Sequence, residues 1–82
     1  MMEATVVEVS AGDGPCWVVV RTRGRATERL GLSNSTGASD VRTLRYWQSE
    51  QIPVLVVQDR PDVVDVHGPS GIVRARPSLA IG

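Results

Sequence analysis

The sequence predicts an α/β (α+β) chain: a mixed β-sheet of about five strands with one helix packed on it, in the order β-β-(β)-α-β-β-β. Three observations predict this. Runs rich in β-branched residues alternate with turns built from Gly, Pro and Asp. One segment, 39–51, carries apolar residues at helical spacing. An almost continuously apolar run follows Pro53.

Taken in order, ATVVEV (4–9) is a β-branched strand, and SAGDGP (10–15) is a turn. CWVVVRTR (16–23) is the second strand, paired with the first as a hairpin. TERLGL (27–32) reads as a shorter third strand, and SNSTGAS (33–39) as a loop. In SDVRTLRYWQSEQ (39–51), Ser39 or Asp40 is positioned to cap the first free N–H groups. Val41, Leu44 and Trp47 then fall on one face, and Pro53 bounds the helix. PVLVVQD (53–59) is expected to be a strand covered on both faces. VVDVH (63–67) and IVRAR (72–76) follow, separated by the turn GPSG. Residues 77–82 form a tail, flexible or reaching a partner.

The 82 residues are read as a single domain, 1–82, near the lower size limit for a self-sufficient core. One cysteine permits no internal disulfide, and Cys16 with His67 cannot make a four-ligand zinc site. A small chain without such staples, and with one sheet face left bare by its single helix, is expected to form a homodimer. The lone cysteine and the lack of a long apolar run lead us to expect a soluble cytoplasmic protein. Nine basic and nine acidic residues cancel, which opposes strong attraction of the whole surface to nucleic acid. All nine basic residues are arginine, whose planar guanidinium binds carboxylate or phosphate in a bidentate manner.

Four arginines cluster in WVVVRTRGRATERL (17–30): Arg21, Arg23, Arg25 and Arg29. A hairpin folded symmetrically sets Val9 opposite Trp17, Val7 opposite Val19, Thr5 opposite Arg21 and Glu3 opposite Arg23. Those residues then share one face, with Val6, Glu8, Val18 and Val20 on the other, and a one-residue slip would exchange the faces. The simplest account is a salt-bridged strand end, with a Glu3–Arg23 pair worth about 0.2–1 kcal/mol. The alternative is a nucleic-acid edge with Arg21, Arg23 and Arg25 as phosphate contacts, and with Arg74 and Arg76 as further candidates. Glu3 and Glu28 weaken that alternative, and only Trp17, Tyr46 and Trp47 supply aromatic surface for stacking.

The segment LRYWQSEQIPVLVVQD (44–59), a helix ending in Tyr-Trp followed by a Pro-Val strand, resembles a family of domains of unknown function related to the PD-(D/E)XK nuclease-like superfamily. The resemblance runs over roughly residues 3–67 and extends to the order of hairpin, helix and Pro-Val strand. It implies an acidic position at Glu3, a Gln or Glu position at Val19 and a lysine position at Arg21. Val19 offers no oxygen to a cation, and Arg21 stays protonated and cannot act as a general base. The resemblance therefore implies a shortened, catalytically degenerate member: not an enzyme, without a cofactor, and without nuclease activity.

Other candidates have plain readings. AGDGP (11–15) lacks the Gly-Lys-Ser/Thr ending of a phosphate loop and reads as a turn. Asp59, Asp62 and Asp65 straddle a turn and a strand and form no ligand pattern. His67 has no nameable partner, and Cys16 reads as a small buried apolar residue. Tyr46 and Trp47 pack the helix end on the sheet or line a ligand site. Three functional readings follow: a non-enzymatic domain binding a protein or small ligand; a nucleic-acid-binding module using the arginine strand; and, last, a small enzyme using Asp59, Asp62 or His67.

Overall fold

The structure, a computed structural model, describes residues 2–11, 16–32 and 37–77. Six strands and one helix follow in order: β1 (Met2–Ser10), β2 (Trp17–Thr22), β3 (Thr27–Gly31), α1 (Ala38–Ser49), β4 (Pro53–Arg60), β5 (Val63–Gly68) and β6 (Gly71–Pro77). This is the expected α+β order, with the short third strand formed. The turn expected at 10–15 and the loop at 33–39 fall largely on residues outside those described.

The sheet closes into a barrel in the order β1-β2-β3-β6-β5-β4, with β4 returning to β1. Every described pairing is antiparallel, so the sheet expected to be mixed is not. The chain forms two three-stranded meanders joined through α1, and neither needs the long crossover that parallel neighbours require. Two seams join the meanders. The β1–β4 seam pairs Met2–Val56, Glu3–Leu55, Ala4–Val54 and Thr5–Pro53. Among the described residues the β3–β6 seam pairs Leu30–Pro77 and Gly31–Arg76. Pro77 thus belongs to β6, and the tail expected from residue 77 has its remainder, 78–82, outside the described residues.

Closure explains the composition of the core. The interior of a six-stranded barrel is narrow and takes small, stiff side chains well. Val6, Val18, Val20, Val54, Val56, Val64, Val66 and Val73 fill it, with Ala4, Ala75, Leu30 and Leu32, and the chain contains no phenylalanine. Closure also removes the bare sheet face on which the expectation of a homodimer partly rested, because the inner faces of all six strands cover one another. Nor is β4 covered on both faces: Val54 and Val56 point inward, whereas Leu55 is exposed, as suits an antiparallel strand with one wet face.

The helix starts at Gly37, which occupies the cap position without a side-chain bond. Ser39 and Asp40, the expected caps, lie inside the first turn, where Asp40 favours the positive end of the helix dipole. The C-terminus is a Schellman motif: Ile52 N–H donates to Trp47 O (3.0 Å) and Gln51 N–H to Gln48 O (3.2 Å). Gln51 takes the left-handed conformation that this motif requires, with φ of 53°. Leu44 and Trp47 are fully buried and Val41 half-buried, as the spacing predicts. Trp47 sits on Gly68 at the end of β5, where a Cβ would overlap the indole ring. Its Nε1–H has no hydrogen-bond partner among the described residues. Among these residues no helix is long and apolar enough to cross a membrane.

Candidate anion-binding groove

The β1–β2 hairpin has the expected register at its far end and not near its turn. Thr5 lies opposite Arg21, but beyond Val6 the pairs become Glu8–Val19, Val9–Val18 and Ser10–Trp17. Val7 is the extra residue of a β-bulge, and the bulge exchanges faces from there on. Val9 therefore packs against the core instead of joining Trp17 outside, and Glu8 turns outward. There Glu8 Oε2 accepts a hydrogen bond from Trp17 Nε1 at 2.9 Å. The Arg29 guanidinium stands over the Trp17 ring, 5.2 Å from its centroid.

At the other end of the hairpin pair, β2 turns into β3 through Arg23, Gly24 and Arg25. Thr22 N–H donates to Ala26 O (2.8 Å), and Arg25 N–H donates to Thr22 O (2.9 Å). The Thr22 hydroxyl also donates to Ala26 O at 3.2 Å. This is a three-residue connection whose last residue must be left-handed, a position that favours glycine. Arg25 occupies it, with φ of 70°.

The strand and the turn together line an open groove of about 270 Å³. Arg21, Arg23 and Arg25 all line it, together with Glu3, Ala4, Thr5, Thr22 and Pro53. The three candidate phosphate contacts thus share one concavity. Glu3 Oε1 lies 3.8 Å from Arg23 Nη1, an exposed pair longer than a hydrogen bond. Arg21 and Arg25 form no ion pair among the described residues. Three like charges around one depression repel each other, and a bound anion would relieve that repulsion. The guanidinium forks and the Thr5 hydroxyl can donate hydrogen bonds, and Pro53 gives an apolar wall.

Of the three positions that the family resemblance singled out, Glu3 and Arg21 line this groove. Val19 lies on the same outer face, opposite Glu8 and Arg29, but does not line it. Glu3 is the one carboxylate among the lining residues, so they offer a divalent cation a single anionic ligand. Among the described residues no group of three or more His, Cys, Asp or Glu side chains could hold a metal ion.

The remaining candidates are scattered. Asp59 lies beside the β4 irregularity and Asp62 in the β4–β5 turn. Asp65 is nearly buried and accepts from Arg74 Nε at 3.1 Å, its direct cross-strand neighbour. Arg74 is therefore engaged on the barrel wall and does not line the groove; Arg76 lies opposite Gly31 in the β3–β6 seam. His67 is half-buried between Leu55 and Ile72, its partners on the adjoining strands. Cys16 is half-buried against the core. Tyr46 and Trp47 are separated: Trp47 is inside, Tyr46 is 56% exposed, and neither lines the groove.

Reading the sequence missed Thr5, Thr22 and Pro53 as lining residues, and it missed the Glu8–Trp17–Arg29 cluster. Folding 17–31 about Arg23-Gly24-Arg25 would have placed Arg29 diagonally next to Trp17, so that signal was present. Compared with known proteins, the chain matches no family model, no curated protein and no solved structure. The nuclease-like resemblance gains no support from these comparisons and meets no opposition.

Proposed function

We propose that this protein is a non-enzymatic binding domain whose ligand is the phosphate backbone of a nucleic acid, held in the groove of Arg21, Arg23 and Arg25. One observation supports the reading above the others. Three arginines line a single open groove, and among the described residues Arg23 alone of the three forms an ion pair. An open groove suits a polymer that passes through it better than a small ligand, which a pocket would enclose. Guanidinium suits phosphate because its donors match two phosphate oxygens at once. The zero net charge is consistent with a local, groove-confined attraction and not with a basic surface.

The test is a binding titration with labelled oligonucleotides at low and moderate salt, using the wild type and a variant with Arg21, Arg23 and Arg25 replaced by alanine. The reading expects affinity to fall as salt rises, by a log–log slope of about 0.7–0.9 per phosphate neutralised. The variant should lose most of that slope. Absence of binding at low salt would overturn the proposal and leave the arginines as a solvated strand end.

A further inference from the structure

We infer that the polymer is single-stranded, and that the Trp17–Arg29 pair is the surface on which one of its bases stacks. The inference rests on the groove reading and extends it along the same wall of the barrel. Side chains alternate along a strand, so Trp17, Val19 and Arg21 point outward together on β2. Val19 lies opposite Arg29 and Arg21 opposite Thr27, which puts Arg29 on that same outer face. A continuous strip therefore runs from the arginine groove past Val19 to Arg29 and Trp17. Its two ends, Arg21 and Trp17, are four residues apart on one strand, about 13 Å.

The far end of the strip is held in place from two sides. Glu8 fixes the indole edge through the 2.9 Å bond to Nε1. The indole ring in turn holds the Arg29 guanidinium over its face at 5.2 Å, within cation–π range. Arg29 itself is exposed, so the side of its guanidinium away from Trp17 faces solvent. Arginine planes and aromatic rings are the groups on which unpaired bases stack. In a duplex the bases are already stacked on each other and turned away from such a surface. A single strand whose phosphates occupy the groove can lay a base on the guanidinium. Glu8 neutralises part of the local charge, so this end of the strip offers a plane more than a second phosphate site.

The experiment compares three probes by fluorescence anisotropy and competition: a labelled oligothymidylate, a duplex of equal length, and inorganic polyphosphate. The variants are Arg29→Lys, which keeps the charge and loses the plane, and Trp17→Phe, which keeps a ring and loses the bond to Glu8. Thermal melting of each variant establishes that it is folded. The inference expects oligothymidylate to bind more tightly than the duplex. It also expects Arg29→Lys to weaken oligothymidylate about tenfold, the effect of one stacked base, while leaving polyphosphate unchanged. Equal weakening of both probes by Arg29→Lys, or a duplex bound as tightly as the single strand, would overturn it and leave the groove reading standing. Polyphosphate bound with neither oligothymidylate nor duplex would overturn both this inference and the nucleic-acid reading of the groove. If no probe bound, the groove reading would fall and this inference with it.

Discussion

The side-chain amide of Gln48, near the end of α1, donates to the main-chain carbonyl of Val7 at 3.1 Å, across 41 residues of sequence. Val7 is the bulged residue of β1, and the β1–β4 seam ends two residues before it, at Thr5. The helix thus supplies the partner that the sheet does not. Replacing Gln48 with alanine leaves a half-buried carbonyl without this bond, and a loss of about 1–2 kcal/mol is expected. Urea unfolding of Gln48→Ala measures it, with Gln48→Glu as the control that removes the donor while keeping most of the shape.

At Gly68 the Trp47 ring of α1 lies directly against the backbone of β5. A methyl group there must displace the Trp47 ring, which is fully buried. Gly68→Ala is expected to destabilise the fold by about 1–3 kcal/mol. For a chain of this size that lowers the melting temperature by about 4–8 °C per kcal/mol. The double variant Gly68→Ala with Trp47→Leu should recover part of the loss by making room.

Arg25 and Gln51 both hold left-handed conformations that glycine would adopt without strain. Each glycine substitution is expected to stabilise the fold by about 0.5–1 kcal/mol, the relief of strain less the added freedom of the unfolded chain. The two should differ in function. Arg25→Gly removes a groove guanidinium and should weaken oligonucleotide binding. Gln51→Gly, at the helix end, should leave it unchanged. Melting curves and a binding titration on both variants separate the two effects.

Asp65 keeps only 12% of its side-chain surface exposed, and Arg74 Nε is its bonded partner. Arg74→Ala leaves a nearly buried carboxylate without that partner and is expected to lose about 1–3 kcal/mol of stability. Adding Asp65→Asn should return part of it, because a neutral amide tolerates the site better. A double-mutant cycle in guanidinium chloride gives the coupling.

The strand and helix order was legible because it depends on local patterning: β-branched runs, Gly and Pro turns, and the Val41–Leu44–Trp47 spacing. The Glu3–Arg23 contact was legible for the same reason, since it lies at the end of the hairpin where symmetrical folding holds. The bulge at Val7 was not, because part of what stabilises it is a side chain from a distant helix. Closure was not legible either. The Leu30–Pro77 and Gly31–Arg76 pairs join segments far apart in sequence, and no local signal brings them together. As for the site, the sequence supplied the arginines. Their convergence came from the backbone turn that places Arg25 beside Arg21 and Arg23.

The arginine groove lies on the β1–β4 seam: Thr5 and Pro53 are partners across it, and both line the groove. β1 opens the first meander and β4 the second, so the groove spans the join between the two halves of the chain. A ligand lying there acts as a splint across that join, and its presence should slow separation of the two halves.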